Sequence, residues 1–201
     1  MKTVSLATLH IQLEDSSPLI WRRVRVPLDT SLDELHYVIQ MTMGWTNAHQ
    51  FVFRIGEKEY QHADEDSFLD ADFSEETDIS LKKALGKAKS FNYTYDFGDG
   101  WEHRITVESI EKKSDDWNFP VCLAGAHACP PEDVGGIPGY ADFCQKLADP
   151  RSTEYEETLL WAGGAFDPLS FDINRVNREL HGMCIGLGSD IDADLFGDFE
   201  L

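Results

Sequence analysis

The chain has 201 residues and a mass of 22.7 kDa, enough for one domain with a real core. Its 37 acidic residues outnumber 17 lysines and arginines, a formal charge of −20, which argues against nonspecific binding to nucleic acid or an anionic membrane because both need a basic face. Apolar residues make up 42%, a globular composition, and no apolar run approaches the ~20 residues that span a bilayer.

The N-terminus, MKTVSLATLHIQLED, meets polar and acidic residues too early for a signal peptide, and four cysteines at irregular spacing make no disulfide framework. The expectation is a reduced, soluble, cytoplasmic domain. Residues 3–13 alternate and predict a strand, Asp15 to Pro18 a turn, and Leu19–Val26 a second strand. On that strand Ile20, Arg22, Val24 and Val26 share one face, opposite Trp21, Arg23 and Arg25. Ser31 and Glu34 form a capping box, and the apolar spacing after them predicts a helix over 32–43, stopped by Gly44. Residues 49–55 predict a third strand, continued by Glu57–Gln61, which makes a β-grasp-like ββαβ start.

Asp64 to Asp78 carries eight acids and no lysine or arginine, a solvated loop by composition. Leu81–Leu85 predicts one helical turn. Residues 91–97 and 101–110 predict a hairpin around a three-residue loop, Gly98-Asp99-Gly100, with Gly100 left-handed. That register pairs Phe97 with Trp101 and Tyr95 with His103, collecting the aromatic residues on one face. From Cys122 to Gly139 the glycines and prolines predict irregular backbone, expected to pack on the hairpin. Helices are predicted over Tyr140–Ala148 and Thr153–Ala162, and a last one capped by Asp167, with Ile173, Val176, Asn177 and Leu180 inward. The expected architecture is α+β: a single domain over 1–183, a mainly antiparallel twisted sheet with C-terminal helices, and an acidic tail over 184–201.

Several segments together resemble a known family. Pro18-Leu-Ile-Trp-Arg-Arg-Val-Arg-Val-Pro27, Gly44-Trp45 and His49-Gln-Phe51 are similar to the opening of the plasmid pRiA4b ORF-3-like family. Tyr95-Asp-Phe-Gly-Asp-Gly-Trp-Glu-His103 resembles its central signature, and Cys129-Pro-Pro-Glu-Asp-Val-Gly-Gly136 with Phe166-Asp-Pro168 its C-terminal half. The resemblance implies an association with mobile elements, in places under a resolvase-like label, and no established activity. Relatives often carry cysteine where this chain has Val134, so a metal held there in relatives would lack that ligand here.

Candidate ligand-binding residues are Asp96, Asp99, Trp101, Glu102, His103, Glu132 and Asp133, carboxylates and aromatics beside the two turns. Paired carboxylates of this kind can hold magnesium or calcium, or act as general acid and base. Turn aspartates also serve simply as turn residues, and His103 on the aromatic face reads as a core histidine. Cys122, His127 and Cys129 are candidate zinc ligands, although their C-x6-C spacing is not that of zinc modules. No cofactor is expected. No P-loop, G-x-S-x-G or G-x-G-x-x-G occurs. The first functional reading is a non-enzymatic accessory protein that meets a protein or small-molecule partner near the hairpin and the 122–139 loop. The second is a metal-assisted hydrolase or nuclease-like enzyme built on the same carboxylates, and the third a DNA-recombination factor.

Overall fold

The structure, a computed structural model, describes residues 3–61, 74–113 and 119–186. Most of the acidic run from Asp64, and the acidic tail from residue 187 onward, lie outside those residues.

Alternation in the N-terminal half yields β1 (Val4–Leu13) and β2 (Trp21–Pro27), paired antiparallel. Leu9, Ile11 and Leu13 of β1, and Arg22, Val24 and Val26 of β2, point to the core. The helix α1 (Leu32–Met43) begins as expected. Ser31 Oγ accepts the Glu34 amide, and the Glu34 carboxylate takes the Ser31 amide. Gly44, at φ 97°, ends it in the left-handed region. Ser31→Ala should cost about 1 kcal/mol, seen as a lower urea midpoint at unchanged slope.

β3 (Phe51–Ile55), β4 (Lys58–Tyr60) and β5 (Ser74–Glu75) follow, then the short α2 (Leu81–Leu85). The hairpin is β6 (Ser90–Tyr95) and β7 (Trp101–Lys113). β8 (Val121–Ala126), α3 (Gly136–Leu147), α4 (Thr153–Trp161) and α5 (Ile173–Gly186) complete the chain. The sheet order is β5-β4-β3-β6-β7-β1-β2-β8, antiparallel at every pairing except β4 with β5. The fold is a single α+β domain. Its ββαβ start is present in chain order, but β6 and β7 lie between β3 and β1 in the sheet.

Three expectations need correction. The hairpin pairs Tyr95 with Trp101 and Tyr93 with His103, two residues away from the expected register. A slip of two preserves which face each side chain takes, so the aromatic face survives. The loop is Asp96 to Gly100 instead of three residues, and Phe97 is half exposed within it. Asp96 leaves the strand at φ 55°, and its backbone oxygen accepts the Gly100 amide at 2.6 Å.

The 122–139 segment is not wholly irregular. Its start is β8, on the outer edge beside β2, and its end is the first turn of α3. Pro138 falls in that turn, where an amide would have no partner inside the helix. Asp167 caps only a tight turn, through the Leu169 amide. Asp172 caps α5 instead, accepting the Asn174 and Arg175 amides at 3.0 Å each.

Arg22 brings a charge into the core. It is 2% exposed. Its Nε donates to Thr42 O at the end of α1, 2.7 Å away, where the last carbonyls carry partial negative charge. Its Nη1 donates to Trp21 O and Ala126 O, and its Nη2 to His127 O. The guanidinium also lies over Phe171, 4.3 Å from the ring centroid. α5 packs against α1 and β8, and Asn177 brackets Cys122 there, Oδ1 accepting its amide and Nδ2 donating to its carbonyl.

Candidate functional site

Three chain reversals converge at one end of the aromatic face. The first follows α1. Trp45 is buried, and its Nε1 donates to Pro130 O at 3.0 Å, which ties this turn to the segment after β8. Thr46 donates to Glu132 Oε1 twice, from its amide at 2.7 Å and its hydroxyl at 3.0 Å. Asn47 is left-handed at φ 58°. The Ala48 amide then donates to the Tyr95 hydroxyl at 3.0 Å, and His49 follows.

Asp96 forms the second reversal. Its Oδ1 accepts the amides of Gly98 at 2.8 Å and Asp99 at 3.3 Å, so the carboxylate folds its own loop. The third holds Glu132 and Asp133, with Asp133 left-handed at φ 57°. Asparagine and aspartate tolerate that region best among residues with a Cβ, and all three reversals use one of them.

His49 Nε2 faces the carboxylates: 3.2 Å from Asp133 Oδ1, 3.5 Å from Glu132 Oε2 and 3.7 Å from Asp96 Oδ2. That nitrogen is shielded from solvent, yet no carboxylate meets it in hydrogen-bonding geometry. One ligand atom from each of His49, Asp96 and Asp133 lies within 4.8 Å of the others. Asp96 is buried and Asp133 exposed, so the cluster runs from the protein interior to solvent.

Tyr95 supports the cluster from below. Its hydroxyl lies 3.2 Å from each Glu132 oxygen, and its ring meets His49 edge-on. Burial, then the Glu132 charge, push its pKa up to about 12, against the backbone amides of Ala48 and His49. The phenol therefore stays a neutral donor to Glu132 at ordinary pH.

The expected site residues divide. Asp96, Glu132 and Asp133 come together. Asp99 does not join them, but its Oδ2 accepts the Gly135 amide at 3.1 Å, which clamps the hairpin loop to the third reversal. Trp101 and His103 lie fully buried beneath, both against Trp45. His103 is held down to about 4 by burial, which outweighs its backbone hydrogen bonds to Trp101 and Tyr93, so it is a neutral core group. Glu102 points away on the other face of the sheet, accepting from Thr94 Oγ1 near Arg54.

Cys122, His127 and Cys129 do not form a metal group among the described residues. His127 Nδ1 bonds Leu19 O at 2.7 Å, and burial pushes the Cys122 thiol up to about 11 and that of Cys129 higher still. Sequence reasoning missed His49 as a cluster member. Its signals were the family-like run His49-Gln-Phe51 and the turn chemistry of Thr46-Asn47 just before it.

This geometry sits in a chain with identifiable relatives. The model of the family described as plasmid pRiA4b ORF-3-like protein matches residues 5–175. The chain is 39% identical over 182 residues to uncharacterized protein y4hQ of Sinorhizobium fredii, covering 88% of this chain and 91% of that one. It is also similar to the crystal structure of MM3350, a protein of unknown function from Methanosarcina mazei. That match has a TM-score of 0.76 and 31% identity, over 85% of this chain and 97% of the other. Family match, sequence identity and shared fold agree: the chain belongs to the plasmid pRiA4b ORF-3-like family.

Proposed function

We propose that this protein binds a divalent first-row metal ion through His49, Asp96 and Asp133 and uses it for hydrolysis. The convergence of one imidazole and two carboxylates carries the reading. Ligands about 2.1 Å from a tetrahedral metal stand about 3.4 Å apart. His49 Nε2 stands 3.2 Å from Asp133 and 3.7 Å from Asp96, and all three ligand atoms lie within 4.8 Å of one another, so a metal would have to draw them together. An imidazole with carboxylates suits zinc, manganese or ferrous iron better than calcium, which prefers oxygen alone. Three protein ligands leave a position for water, the arrangement of catalytic sites. A metal held there would supply an acidified water, and Glu132, whose Oε2 lies 3.5 Å from His49 Nε2, would be the general base nearest to it.

Asp96→Asn separates this role from folding. Asparagine keeps the left-handed turn and an oxygen for the Gly98 amide, but loses the charge. Titration calorimetry with Mn²⁺ or Zn²⁺ should show one site in the wild type, and affinity should fall by at least about 100-fold in the variant, beyond the loss typical of an outer-sphere change. Thermal melting of the metal-free proteins should coincide. A wild type that takes up neither ion at millimolar concentration overturns the reading.

One observation favours the accessory-protein reading as a second. α4 has no buried residue, and it presents Leu160 at 78% and Trp161 at 53% exposure. Such a face suits a protein partner.

A further inference from the structure

Beneath the first reversal lies a polar network of residues other than the proposed ligands. It consists of His36 and Gln40 on α1 and Tyr93 on β6, all buried. His36 Nδ1 lies 2.8 Å from the Tyr93 hydroxyl, and His36 Nε2 lies 2.6 Å from Asn47 Oδ1. Gln40 Nε2 donates to the same hydroxyl at 3.1 Å, while Gln40 Oε1 accepts the Asn47 amide at 3.0 Å.

The proton positions follow from these contacts. The Tyr93 oxygen accepts from Gln40, so its own hydrogen is free to go to His36 Nδ1. His36 then carries its proton on Nε2 and donates it to Asn47. Its ring is stacked on Phe51, with centroids 3.6 Å apart and planes at 9°, so it cannot rotate away. Asn47 is thus gripped at both its side chain and its backbone. It is the left-handed residue that turns the chain so that the Ala48 amide reaches Tyr95 and His49 reaches the carboxylates.

We infer that His36, with Gln40 and Tyr93, is a positioning residue for the cluster: it fixes Asn47, and through Asn47 the loop that presents His49. The inference rests on the metal-binding reading for its consequence but not for its structural content. A ligand loop with no secondary structure of its own would otherwise be free to carry His49 away from Asp96 and Asp133. Buried hydrogen bonds to that loop reduce the ordering the metal must impose.

The test uses the full chain and Mn²⁺ as probe. His36→Leu removes the donor to Asn47 and should weaken Mn²⁺ binding about 10- to 100-fold. His36→Gln can place an amide hydrogen where Nε2–H stood, and should restore affinity to near the wild-type value. Asn47→Gly makes the same cut from the exposed side, without touching the core and with the left-handed turn kept comfortable. It should weaken binding in the same direction. Hydrogen exchange of the Ala48 amide gives a readout independent of metal, and should quicken in His36→Leu and Asn47→Gly but not in His36→Gln. If the wild type binds Mn²⁺ and all three variants bind as tightly, with Ala48 exchange unchanged, the positioning role is overturned and the metal site stands. If the wild type binds no metal, the metal reading falls, and Ala48 exchange alone upholds or overturns the hold of His36 on the loop.

Discussion

Arg22→Met is expected to lower stability by about 3–5 kcal/mol, because several buried carbonyls lose a charged donor at once. The guanidinium supplies donors to four backbone carbonyls from three parts of the chain: β2 itself, the end of α1, and the residues where β8 gives way to the next loop. Methionine fills much of the volume but donates nothing. Each deserted carbonyl loses its partner at a cost of about 1–3 kcal/mol if water does not reach it. Among the described residues no carboxylate pairs with Arg22, so the variant leaves no buried negative charge behind. That keeps the expected loss below the sum over four carbonyls. Arg22→Lys should recover little, because an ammonium cannot span this fork of acceptors. Urea unfolding followed by tryptophan fluorescence measures both variants. A loss under about 1 kcal/mol in Arg22→Met would mean that water takes over at the carbonyls.

Gly136→Ala should severely damage the candidate site. Gly136 sits at φ 67°, and a Cβ there would lie 2.5 Å from Asp99 O, a backbone atom in the hairpin loop. The backbone must part, and with it goes the clamp between Asp99 and the Gly135 amide. Asp133 is then no longer held against His49. The expected loss is at least about 2 kcal/mol in stability, from strain and lost contacts together, along with most of the metal affinity. Gly100→Ala is the control. Gly100 has nearly the same φ, 68°, but open space around the added carbon. It should cost only the conformational penalty, about 1 kcal/mol. Equal losses at the two glycines would show that the close approach at Gly136 is without consequence.

The contrast between those glycines also marks what could be read in advance. Local rules were sufficient for α1, because Ser31, Glu34 and Gly44 each act within four residues of the helix they bound. Alternation sufficed for the faces of β1, β2 and the hairpin, down to the separation of Arg22 from Arg23 and Arg25. The hairpin register failed on one assumption, that Phe97 must pair with another aromatic. Asp96 overrides it by bonding its own loop amides, so Phe97 is carried into the turn and half exposed. The start of α3 was hidden because Gly-Gly-Ile-Pro reads as loop, although a proline in a first turn breaks no helical bond. Carboxylates at the site were visible beside their turns. His49 was not, because its place depends on Asn47 being held by His36 and Gln40, a contact between α1 and a loop that no spacing encodes.

The Asn177 bracket has a consequence for how the molecule meets other chains. β8 is an outer strand, and an outer strand offers unpaired amides and carbonyls to any extended peptide that comes alongside. At Cys122 that offer is already taken, since one carboxamide presents the acceptor and the donor that a neighbouring strand would bring. The helix that bears it is anchored by Val176 and Leu180 in the core. A second copy or a partner peptide could lengthen the sheet past Cys122 only by first lifting α5 away. At that point the fold is sealed against strand-by-strand growth by an amide side chain imitating backbone.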